Sequence, residues 1–152
     1  MKLPPFPDRE QRARVRAECT GQSLRRATRT VTRIYDETLA PSGLRGTQFS
    51  LLIALSFFKE APLLRVAEEL SLDRTTLTRN AGPLRRKGLI RVGAGPDGRS
   101  SSVALTARGH AVLGRAYPLW RKTQRRIIAR LGRRRWESLI GDLSELRDAA
   151  RA

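Results

Sequence analysis

A single cysteine, Cys19, stands among 152 residues, so no internal disulfide framework can form and a reducing compartment is expected. Histidine is also single (His110), glycine-rich phosphate loops are missing, and no His, Cys, Asp or Glu residues cluster at ligand spacings. That leaves no nucleophile–base pair and no metal site, so the sequence predicts neither an enzyme nor a bound cofactor. Long apolar runs are absent too. The longest, Leu51 to Phe58, is eight residues interrupted by Ser56, against the ~20 that a membrane span needs. The opening MKLPPFPDREQ has no apolar segment of the secretory kind. Together these absences predict a soluble, cytoplasmic protein with no membrane partner.

Acid is scarce. Only 14 Asp and Glu face 31 Lys and Arg, giving a net charge of +17. Such an excess points to a polyanion partner. Arginine supplies 27 of the 31 cations, a skew that a GC-rich coding genome also produces, so the placement of charge carries more than its amount. The length suits one domain with appended helices.

Residues 1–8 hold three prolines and read as an extended arm. From about Gln11 to Leu39 a helical period appears, with Leu24, Ala27, Val31, Ile34 and Leu39 on one face. Pro41-Ser42-Gly43 ends it. A short helix from Thr47 to Phe58 follows, apolar nearly all round and therefore buried, with Thr47 as its N-cap. Pro62 opens the next unit: a helix over Leu63–Leu70, a break at Ser71-Leu72, and a second helix from Arg74 to about Lys87. Asp73 caps that second helix and Gly88 stops it. Two short helices joined by a tight turn, the second rich in Arg and Thr, form a helix-turn-helix pattern.

Leu89–Val92 and Ser101–Leu105 read as two short strands, joined by the turn-forming residues 93–99. A hairpin directly after a helix-turn-helix is a wing. Thr106 then caps a long helical region carrying Val112, Ala116, Trp120, Ile127 and Leu131, and later Trp136, Leu139, Leu143 and Leu146. Pro118 is expected to kink or interrupt it, and Gly132 to mark a joint. These outer helices exceed what a small winged core needs, and a second copy of the chain is the economical cover for their apolar stripes.

Val66-Ala67-Glu68-Glu69-Leu70-Ser71-Leu72-Asp73-Arg74-Thr75-Thr76-Leu77-Thr78-Arg79 resembles the LAxxLxLDxSTVTR stretch of the MarR family of winged-helix transcription regulators. Leu84-Arg85-Arg86-Lys87-Gly88-Leu89-Ile90 is similar to that family's LExKGLI stretch. Pro96-Asp97-Gly98-Arg99, followed by Leu105-Thr106-Ala107-Arg108-Gly109, resembles its DxR wing and LTxxG exit. The resemblance implies a mainly α fold with a small β wing (α+β). Residues 11–40 would be a dimerisation helix, 44–105 a winged helix-turn-helix lobe, and 106–152 the C-terminal helices completing a dimer interface. It implies a homodimer that binds double-stranded DNA at an inverted repeat, most simply as a repressor. A non-specific basic nucleoid or nucleic-acid-associated protein is the alternative.

Arg74, Thr75, Thr76, Thr78 and Arg79 occupy the first turns of the second helix of this unit, the part that enters the major groove. Hydroxyls there can meet phosphates or base edges, and Arg79 can reach guanine O6 and N7 as a bidentate pair. A solvated face with ordinary threonines is the plainer account. Leu77 points back to the core. Pro83 removes a backbone donor and is expected to bend the helix, confining groove reading to its N-terminal turns. Arg99 at the wing tip suits a narrow minor groove, with Asp97 as its support or simply a turn residue. Residues 108–136 hold ten Lys and Arg and no acid, which reads as steering toward DNA or as a solvated face.

Some relatives of the family sense organic hydroperoxides through a cysteine near the start of the first helix. Aligning Arg29 and Tyr35 with theirs puts the reactive position on Gly21 rather than Cys19, and Arg25 in place of an aromatic partner, so Cys19 reads as a buried or interface thiol, with activation by the nearby arginines as the alternative. A ligand pocket in the family lies between the dimer helices and the winged lobe. By position Tyr35, Phe49, His110 and Trp120 are its candidates here, and a small aromatic acid its typical occupant.

Overall fold

In a computed structural model the chain is described over residues 6–95 and 101–150. It divides after Ile34 into two compact units. The first holds a helix α1, Arg9–Glu18, and most of α2, Thr20–Leu39. The single helix expected over 11–39 is therefore two. Asp8 caps α1: its carboxylate accepts the Gln11 amide at 2.8 Å while the Gln11 side chain accepts the Asp8 amide at 3.0 Å. At Cys19 the backbone turns extended, yet its N–H still donates to Val15 O and its carbonyl receives the amides of Gln22 and Ser23, all at 3.1 Å. Cys19 thus ends one helix and starts the next. Thr20 and Gly21, both poor helix formers, follow directly.

The second unit opens with the end of α2 and a 3₁₀ turn, Ala40–Ser42, and then runs through α3, Gly46–Ser56. The N-cap of α3 is Arg45, not Thr47. The first amides are met by side chains: Gln48 Oε1, within the helix, accepts from Arg45 N at 3.0 Å, and Asp36 Oδ1, from outside it, accepts from Gly46 N at 2.7 Å. Gln48, Phe49, Leu51, Leu52, Ala54 and Leu55 are all buried, as the all-round apolar pattern predicted.

Next come a two-residue strand β1 (Ala61–Pro62), α4 (Leu63–Glu69), α5 (Arg74–Arg86), β2 (Ile90–Ala94), β3 (Ser101–Leu105), α6 (Ala107–Leu131) and α7 (Arg133–Ala149). The strands form an antiparallel sheet in the order β1-β3-β2, with Ala61 opposite Val103 and Ile90 opposite Leu105. β1 escaped the sequence reading because two residues, one of them proline, carry no alternation. Leu89 sits just outside β2, whereas Gly93 and Ala94, expected in the connection, extend it.

The core gathers Leu39, Leu51, Leu52, Leu55, Val66, Leu77, Leu84 and Val103, every one at least 98% buried. α6 is uninterrupted through Pro118, and Gly132 at φ +85° makes the joint to α7. No described helix is long and apolar enough to cross a membrane.

Two caps fix α5 and α6. Gly88 at φ +67° lets Leu89 N return to Leu84 O at 2.9 Å and ends α5. Thr106 accepts the Gly109 amide at 3.0 Å and donates its hydroxyl to Gly88 O at 2.8 Å, so α6 starts directly against the end of α5.

Candidate nucleic-acid interface

Leu77, Ala81 and Leu84 seat α5 in the core at i, i+4 and i+7. That seat dictates the opposite face. Thr75, Arg79, Gly82 and Arg86 recur at i, i+4, i+7 and i+11 and point away from the core, with Arg74, Thr75, Thr78, Arg79, Arg85 and Arg86 exposed. Leu77 is fully buried, in keeping with its expected orientation.

Asp73 organises the first turn. Its two carboxylate oxygens accept the Thr76 amide at 2.8 Å and the Thr76 hydroxyl at 2.7 Å. The hydroxyl first, and the amide with it, hold the Asp73 carboxyl below its ordinary value. The ionised group lies at the positive end of the helix dipole. Thr78 donates its hydroxyl to Arg74 O at 2.8 Å. Thr76 and Thr78 therefore spend their hydroxyl protons inside the helix. Thr75 is the first-turn threonine whose hydroxyl enters no hydrogen bond among the described residues.

α5 continues through Pro83 to Arg86. Pro83 does not confine the outward face to the N-terminal turns: Arg86, seven residues from Arg79, extends it. Gly82 lies between the two. A Cβ there would meet only the Arg86 guanidinium, 3.7 Å away, so this mid-helix glycine leaves the outward face flat. Lys87 reaches across to Gly43 O at 2.7 Å and anchors the helix end. An open concavity follows the flank of α5, lined among others by Asp36, Arg45, Thr47, Arg79, Asn80 and Lys87.

The base of the hairpin is tied down by Glu60. One of its carboxylate oxygens lies 3.3 Å from the Arg91 guanidinium and the other accepts the hydroxyl of Ser102, a buried residue at the centre of the sheet. Arg99 and Asp97, the expected wing-tip residues, lie outside the described residues.

Of the four aromatic and imidazole positions expected at a pocket, three come together on one stretch of α6. Phe49 and Trp120 stack with ring centroids 6.0 Å apart, Tyr117 stacks on Trp120 from its other neighbour position at 5.8 Å, and the Tyr35 hydroxyl donates to Gln124. Burial pushes the Tyr35 phenol above its usual value. None of these residues lines the concavity beside α5. His110 is exposed in the first turns of α6, about 15 Å along the helix from Trp120. Among the described residues, no group of His, Cys, Asp and Glu is placed to hold a metal ion.

No protein-family model and no curated protein sequence matches this chain. Solved structures do. The transcriptional regulator MosR of M. tuberculosis, crystallised in complex with DNA, is 41% identical with a TM-score of 0.78, over 89% of this chain and 100% of that one. The transcriptional repressor CouR, bound to a 23-mer DNA duplex, is 28% identical with a TM-score of 0.78, over 87% and 94%. The PcaV regulator of Streptomyces coelicolor, in complex with its natural ligand, shares the fold at 24% identity with a TM-score of 0.80, over 88% and 95%.

Proposed function

Because the chain belongs to the MarR family of winged-helix transcription regulators, we propose that it is a sequence-specific repressor that binds duplex DNA as a homodimer. The observation that carries this reading is the outward face of α5. A buried triplet, Leu77, Ala81 and Leu84, aims Thr75, Thr78, Arg79 and Arg86 outward, and a first turn capped by the ionised Asp73 presents them at neutral pH. Arg79 pairs with a guanine edge, Thr75 and Arg74 meet phosphate or base edges in the major groove, and Thr76 and Thr78 shape the turn that carries them. Arg99, supported by Asp97, reaches the minor groove from the wing.

The dimer reading rests on uncovered apolar side chains. Leu139, Ile140, Leu143 and Leu146 on α7 are between 36% and 47% exposed, and Leu24 and Val31 on α2 are similarly open. No residue of α7 is buried at all, and an isolated helix of that length is marginal in water. The apolar stripes within residues 11–40 and 106–152 of two copies cover one another, and the lobes over 44–105 read two half-sites. The ligand reading rests on Tyr35, Phe49 and Trp120, with His110 standing apart from them in the first turns of α6: a small aromatic acid entering among the three aromatic groups would release the operator.

Selection of bound duplexes from a random pool, at salt near physiological, tests the central claim. An enriched inverted repeat with half-sites about one helical turn apart is the expected result. Retention without enrichment would mean a non-specific, charge-driven binder instead.

A further inference from the structure

Between Asp97 and Glu137 the sequence holds no acidic residue. Within that gap Arg108, Arg115, Lys122, Arg126 and Arg130 fall on one face of α6 and all are exposed. Successive members stand seven, seven, four and four residues apart, so the row is about 33 Å long. It borders the buried face formed by Val112, Ala116 and Thr123 without joining it.

Composition does not account for this row. An arginine-rich genome adds arginine everywhere but does not remove Asp and Glu from one helix. Lys122–Arg126 and Arg126–Arg130 are like-charge pairs at i, i+4, and such pairs weaken a helix where opposite charges would support it. Arg108 sits in the first turn of α6 and Arg133, Arg134 and Arg135 in the first turn of α7, at the helix ends where the dipole disfavours cations. Only Arg130, in the last turn of α6, and Arg133, 3.6 Å from Glu137, sit where local helix physics favours a cation. Sequences break local rules in this way where function compensates.

The row begins beside the DNA-reading unit and leads away from it. Arg108 is two residues beyond Thr106, whose hydroxyl is bonded to the carbonyl of Gly88 at the end of α5. Lys122, Arg126 and Arg130 stand about 21, 27 and 33 Å along α6 from Arg108. Between its cations the face carries Ala111, Pro118 and Ala129, and Leu119, which is half-buried and packs against the core, so no large exposed apolar group is there to enter a lipid surface. Its chemistry is that of a phosphate-backbone track.

We propose that the cationic face of α6 is a second duplex-binding surface, independent of base sequence, through which the operator-bound protein holds another DNA segment. This rests on the reading of α5 as the operator-binding element. The test uses full-length protein on an immobilised operator duplex and measures capture of a second, fluorescent duplex lacking the operator. Wild type captures it. The variant Arg115→Glu/Lys122→Glu/Arg126→Glu loses that capture at least tenfold while its operator affinity stays within about threefold, which also shows it is folded. The corresponding glutamine variant moves in the same direction with a smaller loss. Arg79→Ala does the reverse: operator affinity falls and, on duplex loaded at saturating protein, second-duplex capture persists. Undiminished capture by the charge-reversed protein, or no capture by wild type that does bind the operator, overturns the second surface and leaves the operator reading standing. Failure of wild type to bind the operator overturns that reading itself.

Discussion

Thr76 closes a two-point contact on Asp73, its amide at 2.8 Å from one carboxylate oxygen and its hydroxyl at 2.7 Å from the other. The adjacent Thr75 hydroxyl is exposed and makes no such contact. Two neighbouring threonines of the same motif therefore have different jobs, one building the first turn of α5 and one free to meet a partner.

Replacing each by valine separates those jobs. Thr75→Val is expected to weaken operator binding by roughly 1.5 kcal/mol, a little over tenfold, as loss of one hydrogen bond to a charged group, with the melting temperature unchanged. Thr76→Val is expected to lower the melting temperature more than it lowers affinity. Thermal denaturation and fluorescence anisotropy on the two variants decide it, and an equal affinity loss from both would deny the distinction.

The same contact gives stability a pH dependence of known sign. The Asp73 carboxyl is held below its unfolded value by the Thr76 hydroxyl and amide. Its contribution is therefore complete above the unfolded carboxylate range near pH ~3.9 and disappears as pH falls through the lower folded value. Asp73→Asn keeps an N-cap side chain but cannot titrate. Between pH 5 and 2.5 the variant should lose melting temperature less steeply than wild type; parallel curves would remove Asp73 from the acid response.

Much of this architecture is legible in the sequence because its signals are local. Asp73, Gly88, Thr106 and Gly132 each sit where a helix starts or stops, and each does so through bonds within a few residues or through a positive φ. What was illegible depends on distant partners. The start of α3 is set by Asp36, ten residues upstream of Gly46, so Thr47 looked like the cap. β1 exists only because Ala61 and Pro62 find β3 across the sheet. The break at Cys19 carries no proline or turn signal, and the apolar period, Leu24 to Leu39, lies wholly beyond it. At α5 the spacing gave the outward face, but the expected effect of Pro83 concealed Arg86, whose position opposite Leu77 and Leu84 emerges once the helix is seen to run on.

Arg79 and Arg86 occupy the same face seven residues apart, and they are expected to fail differently. Arg79→Ala should cost about 1–3 kcal/mol on the operator and relax preference at one base pair. Arg86→Ala should weaken all duplexes alike and reduce the salt slope by about one. Binding measured across a panel of single-base operator variants at several salt concentrations separates the two. An unchanged base preference after Arg79→Ala removes it from the readout.

Gly109 meets a severe steric demand. A Cβ there would lie 2.1 Å from Leu89 O and 2.7 Å from Leu105 Cδ1. The Leu89 carbonyl cannot retreat freely, since it receives the Thr106 amide at 3.1 Å. Gly109→Ala is expected to destabilise by about 1–3 kcal/mol through overpacking, despite the ~1 kcal/mol that alanine normally gains over glycine inside a helix. Gly114, on the same helix, has nothing within 4 Å of its would-be Cβ, and Gly114→Ala should be neutral or stabilising. Chemical denaturation of both variants is the measurement, and equal effects would show that helix propensity rather than close approach governs Gly109.

The apolar face of α7 offers the last test. Leu139, Leu143 and Leu146 recur at i, i+4 and i+7, each more than a third exposed, beside Ile140 at 47%. Residues this apolar on one face of a helix that buries nothing within its own chain require a cover, and the proposed cover is the same helix region of a second copy. Leu139→Asp/Leu143→Asp places two carboxylates in that contact, where their desolvation is uncompensated. The expected outcome is a shift from dimer to monomer in analytical ultracentrifugation. A two-half-site operator should then lose far more affinity than a single half-site does, because the lobes no longer bind as one body. The α5 contacts lie elsewhere in the chain, so half-site binding should persist and report an intact lobe. A variant that stays dimeric would place the covering surface elsewhere, and one that loses half-site binding equally would show that α7 supports the lobe itself.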